Sequence, residues 1–132
     1  MADRETSRLI IVPHLIEELV HHDISRMEKA VGPIFKFMDG TMVPESDVTV
    51  LIRRVERDIS ADSEIGPSLH SHDANQLYCL LGDVKLEVTL EDDQHRVTAP
   101  AAILVPAGMK HAIRYAGGTG YVVNILSKTS YS

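Results

Sequence analysis

With 132 residues, a formal net charge of −6 and no cluster of Lys or Arg, the chain reads as one domain with little attraction for nucleic acid or an anionic membrane. Cys79 is the single cysteine, which excludes an internal disulfide and suits a reducing, cytoplasmic setting. The apolar run Leu9-Ile10-Ile11-Val12 is cut short by Pro13, so it makes neither a signal peptide nor a membrane span.

In chain order, residues 1–8 read as a frayed tail and residues 9–12 as a short edge strand. Pro13 suits the first turn of a helix, and residues 14–20 carry Leu15, Ile16 and Leu19 at helical spacing. Ser25-x-x-Glu28 is a capping box for a second short helix, stopped by Gly32-Pro33. Residues 34–38 and 41–43 are strand candidates around an Asp39-Gly40 turn. Residues 48–57 form the first long strand; its apolar run Val50-Leu51-Ile52 fits burial on both faces or a subunit interface. Residues 58–68 are a polar loop.

The second half has a clearer rhythm. Residues 76–81 form a strand ending at Gly82-Asp83, a two-residue hairpin signal. Residues 85–91 alternate strictly, with Leu86, Val88 and Leu90 facing in. Residues 92–94 turn the chain into a short strand at 96–98. Residues 101–105, 110–115 and 119–126 are further strands, separated by turns at Pro106–Gly108 and Gly117-Gly118. Short strands at this spacing predict an all-β sandwich or barrel.

The chemistry concentrates in His70-x-His72, Gln76 and His111. Residues i and i+2 of a strand share a face roughly 6.5–7 Å apart, so His70 and His72 can converge on one ion. The 39 residues from His72 to His111 allow two hairpins, which can return His111 to the same place. If Gln76 faces inward, so does Tyr78, while Cys79 faces away. If His111 faces inward, so do Ile113 and Tyr115. Tyr78 and Tyr115 are therefore catalytic candidates, to orient a substrate or shuttle a proton; filling volume is the plainer role for each. Arg53 and Arg54 are adjacent on a strand, so one of them points inward, toward a substrate carboxylate or an acidic residue. His21-His22-Asp23 also looks like a metal trio, but Asp23 suits a helix cap better. His14 and His95 read as solvated.

These residues resemble the two motifs of the cupin superfamily. The first is Gly, His-x-His, three or four residues, Glu, six residues, Gly; the second is Gly, then Pro-x-Gly-x-x-His-x-x-x-Asn. Here His70-Ser-His72 and Pro106-Ala-Gly108-Met-Lys-His111 match. Gln76 stands where Glu is usual, with five residues rather than six between it and Gly82. Gly66 lies closer to His70 than in the family, Pro100 takes the place of Gly, and Tyr115 that of Asn.

The resemblance implies a small single-domain cupin: a jelly-roll barrel, the double-stranded β-helix, over residues 45–132. Residues 1–44 form an N-terminal arm with short helices that packs on the barrel or on a partner. It also implies one divalent metal ion per chain (Fe, Zn, Ni, Co or Mn) held by His70, His72, Gln76 and His111. Three imidazoles and an amide leave such an ion's charge undiminished, which favours Lewis-acid chemistry: an isomerase, lyase or cyclase acting on a keto acid, sugar acid or polyketide-like substrate. An iron-dependent dioxygenase is the rival, and a non-catalytic metal- or ligand-binding cupin the third reading. A small-molecule substrate and a homodimer are expected, without nucleic acid or membrane.

Overall fold

The computed structural model describes residues 6–16, 31–57 and 69–127. They form nine strands: β1 (His14–Leu15), β2 (Ile34–Met38), β3 (Thr49–Val55), β4 (Gln76–Gly82), β5 (Lys85–Leu90), β6 (Asp93–Thr98), β7 (Ala101–Val105), β8 (His111–Gly117) and β9 (Gly120–Leu126). A six-stranded sheet runs β1-β2-β3-β9-β4-β7, and a three-stranded sheet runs β6-β5-β8. Every strand pairing is antiparallel.

The alternation of the sequence decides which side of each strand is buried. Leu51, Arg53 and Val55 of β3 point inward, as do Gln76, Tyr78 and Leu80 of β4. Leu86 and Val88 of β5 meet them from the other sheet, in a core that also takes Val84, Ile113 and Val122. Each such aliphatic side chain contributes about 1.5–3 kcal/mol on leaving water, so the two facing sheets hold together without a disulfide. No helix among the described residues is long and apolar enough to cross a membrane.

Gly82-Asp83 does not make the expected hairpin. β4 and β5 belong to different sheets, and the chain crosses between them here. Asp83 N–H donates to the Thr119 carbonyl at 3.0 Å, and Thr119 N–H donates to Asp83 Oδ1 at 2.8 Å. The Gly117-Gly118 turn crosses back between the sheets alongside. A Cβ on Gly118 would lie 2.0 Å from the Asp83 carbonyl oxygen, so only glycine lets the two crossings touch.

Other local expectations also change. Residues 9–12 are no strand: Ser7–Leu9 form a 3-10 turn, and Ile10 and Val12 are 81% and 77% exposed. His14 and Leu15 do not open a helix but pair with Lys36 and Phe35 as the sheet edge. Residues 41–43 form a turn because the buried Asp39 carboxylate accepts from Thr41 N–H (2.9 Å), Thr41 Oγ1 (2.6 Å) and Met42 N–H (3.1 Å). The β5–β6 turn sits at Glu91 and Asp92, so β6 starts at Asp93, earlier than expected. The capping box, the His21-His22-Asp23 trio and the 58–68 loop lie outside the described residues. His14 and His95 are exposed.

Candidate metal centre

His70 and His111 sit directly across from each other. His111 N–H donates to the His70 carbonyl at 2.7 Å, and His70 N–H donates to the His111 carbonyl at 3.0 Å. This one-residue bridge extends the three-stranded sheet past β8. The turn before β8 holds the neighbouring segment. Met109 N–H donates to the Pro106 carbonyl at 3.1 Å, and Gly108 takes φ +83, the third-position value of a type II turn. Gly108 N–H then donates to the His72 carbonyl at 2.8 Å, and Ala107 N–H to Asn75 Oδ1 at 2.9 Å. The Pro-x-Gly turn thus carries His111 and grips the His-x-His segment.

The three imidazoles converge. Each offers a ring nitrogen, and these atoms all lie within 4.8 Å of one another. Ring centroids are 4.6 Å apart for His70 and His111, 4.9 Å for His70 and His72, and 5.4 Å for His72 and His111. His72 and His111 are buried and His70 half-buried. The Met109 carbonyl accepts from His111 Nδ1 at 3.1 Å, which fixes the ring and leaves Nε2 as its lone-pair nitrogen.

Gln76 is 1% exposed. Its Nε2 donates to Tyr78 Oη at 2.9 Å and to Asn124 Oδ1 at 3.1 Å. Its Oε1 is buried and accepts no hydrogen bond among the described residues. A buried acceptor without a partner costs about 1–3 kcal/mol. The arrangement is that of an amide whose nitrogen is held so that its oxygen stays available. Nitrogen donors at this separation, with a free amide oxygen one hydrogen bond from Tyr78, fit a divalent transition metal.

The cluster opens into a small cavity of about 40 Å³. His70, His111, Tyr78, Tyr115, Arg53 and Asn124 supply its polar lining, and aliphatic residues such as Leu51, Ile113 and Val122 the rest. Parity is as expected: Tyr78, Ile113 and Tyr115 are buried, while Cys79 on the opposite side of β4 is partly exposed. Arg53 is the inward arginine, 3% exposed, with Nη1 donating to the Gly32 carbonyl at 2.6 Å; Arg54 is exposed. Burial pushes the Tyr115 phenol above its ordinary pKa, and a hydrogen bond and positive charge from Arg53 offset this only in part. Tyr115 therefore keeps its proton at neutral pH. Asn124 escaped the sequence reading. Its signal was a polar residue at an inward position of β9, between Val122 and Leu126.

No protein-family model matches the sequence, and no curated protein matches it either. Solved structures do match. KdgF from Halomonas sp. superposes with a TM-score of 0.57 at 14% identity, over 76% of this chain and 80% of that one. An RmlC-like cupin from Shewanella frigidimarina gives 0.53 at 11% identity, over 74% and 76%. Oxalate decarboxylase from Bacillus subtilis, a protein with Mn(II) centres, gives 0.59 at 12% identity, over 93% of this chain but 31% of that one. The strand order, the two facing antiparallel sheets and these neighbours agree: the chain has the cupin fold.

Proposed function

We propose that the protein is a metal-dependent enzyme acting on a small carboxylated substrate as an isomerase, lyase or cyclase, with His70, His72, His111 and Gln76 as the metal ligands. The observation that carries this reading is the composition of one cavity. Two imidazoles of the three-histidine cluster, a buried arginine and two buried phenols meet there between aliphatic walls. The donor set adds no negative charge. A divalent ion held by it supplies Lewis acidity, drawing anionic oxygens and polarising a carbonyl.

The chain's own residues do the rest. Arg53 is held in place through Gly32 and offers its guanidinium to a carboxylate, the anion its planar fork suits best. Tyr115, protonated, serves as a hydrogen-bond donor or acid and not as a resting base. Tyr78 has its oxygen engaged by the Gln76 amide, which orients the phenol toward the cavity. The walls exclude water and strengthen each of these interactions. The Mn(II) centres of oxalate decarboxylase, which has the same fold, support a metal here.

The test is to load the protein with Zn, Mn, Co or Ni and offer small keto acids and sugar acids in deuterated buffer. Deuterium wash-in or product is followed by NMR, with an oxygen electrode in parallel. Wash-in next to a carbonyl without oxygen uptake is expected. Oxygen uptake matching turnover, with iron bound, would replace this reading by the dioxygenase.

A further inference from the structure

Asn124 is the one polar side chain at the inward positions of β9, between Val122 and Leu126, which are 5% and 0% exposed. It pairs across the sheet with Leu51 on one side and with Tyr78 on the other. It also lies diagonal to Gln76, whose own partner on β9 is Leu126. Diagonal neighbours on one face of a sheet are within reach of each other, and Gln76 Nε2 donates to Asn124 Oδ1 at 3.1 Å.

That contact sets the direction of both amides. A side-chain amide carries two donors on its nitrogen and acceptor lone pairs on its oxygen. Gln76 Nε2 spends its two N–H groups on Tyr78 Oη and Asn124 Oδ1. With Gln76 turned this way its oxygen is the atom left for a metal ion. Reversing the Asn124 amide would set Nδ2 against Gln76 Nε2, two donors face to face, so Nδ2 points away from Gln76. It donates to no described residue, and it is not sealed off. Asn124 is half-buried and lines the cavity beside His70, His111 and Tyr78. An N–H pair fixed in this way donates and cannot accept. It selects a carbonyl or carboxylate oxygen over an amine or ammonium group. The apolar walls at Leu51 and Val122 strengthen such a bond.

We propose that Asn124 is a substrate-binding donor, its Nδ2 hydrogen-bonding a carbonyl or carboxylate oxygen of the ligand seated beside the histidines; this rests on the reading of Gln76 as a metal ligand, which fixes the direction of both amides. The test uses zinc-loaded, nitrogen-15-labelled protein titrated with formate, the smallest carboxylate, which suits a cavity of about 40 Å³. The Asn124 side-chain N–H pair is identified by its absence from the spectra of Asn124→Asp and Asn124→Leu. In the wild type it is expected to move downfield with formate and to saturate. Zinc-loaded Asn124→Leu is expected to bind formate roughly 10–100-fold more weakly, the loss of one hydrogen bond to a charged group. Asn124→Asp keeps the acceptor for Gln76, so its zinc content by elemental analysis is expected to match the wild type. Where neither variant folds, the pair is assigned from through-bond spectra, and its movement in the wild type decides. A pair that formate does not move overturns the proposal, because a residue that only holds Gln76 behaves in that way. So does an Asn124→Leu variant that binds formate as the wild type does. In both cases zinc uptake leaves the metal reading standing. A wild type that takes up no zinc overturns the two together.

Discussion

Gln76→Glu changes one atom's chemistry at nearly constant shape, and the surroundings set its consequences. Gln76 is 1% exposed, and its Nε2 donates to Tyr78 Oη and Asn124 Oδ1. The variant loses both donors. Each hydrogen bond is worth about 1 kcal/mol net, and both are recoverable if Tyr78 turns its hydroxyl and Asn124 flips its amide. The larger effect is the carboxylate itself. Buried without a cation, it costs about 3–5 kcal/mol at neutral pH. For a domain of this size that lowers the metal-free melting temperature by roughly 10–20 °C. Burial raises the pKa of the new carboxyl, so this deficit shrinks as pH falls. With metal added, the anion meets its counter-ion and the deficit disappears. The metal-induced rise in melting temperature is thus larger in the variant than in the wild type. Turnover moves the other way: the added negative charge weakens Lewis acidity, and the rate falls roughly 100–1,000-fold. Melting curves with chelator and with each metal, paired with turnover, make the assay. Equal metal-free stability and equal metal shifts in the two proteins would show that Gln76 does not face the ion. Undiminished turnover in the fully metallated variant would refute the Lewis-acid role.

Acidification should release the metal between about pH 6.5 and 5, because imidazole ligands must be deprotonated; equilibrium dialysis across that range checks it. Asp39→Ala should cost about 2–3 kcal/mol in urea unfolding at pH 7, since it strands the backbone donors of Thr41 and Met42. Burial raises the Asp39 pKa, but hydrogen bonds from Lys36, Thr41 and Met42 outweigh it and hold the value below the ordinary one. The stabilisation is therefore complete above about pH 4, where the unfolded carboxyl titrates, and the gap between wild type and variant closes as pH falls through the lower folded value. Tyr115 should still be protonated at pH 10, read as a late step in ultraviolet titration lost in Tyr115→Phe. Because its folded pKa is raised, stability from this group falls as pH rises above about 10.

The site was more legible than the path of the chain. His70, His72 and His111 stood out because a two-residue spacing and a Pro-x-Gly turn are local signals with local geometry. Tyr78 and Tyr115 followed from parity alone. Gly82-Asp83 misled because the same residues serve a hairpin and a crossing between sheets; the choice depends on Thr119, 36 residues away. Residues 41–43 misled because the side chain of Asp39, not strand pairing, takes up the backbone donors of Thr41 and Met42. Asn124 was missed because the meaning of its inward polar position lies in a contact with Gln76, on the neighbouring strand.

Three histidines and an amide are proposed to hold one ion, and metal content tests that directly. Protein purified without a chelator or a metal-affinity tag, then offered Zn, Mn, Co, Ni or Fe(II), should carry roughly one ion per chain by elemental analysis. The variant with His70→Ala, His72→Ala and His111→Ala together should carry almost none while keeping its β-sheet spectrum, because the sheets have their own aliphatic core. Equal metal content in the two proteins, or a wild type that takes up no metal, would contradict it.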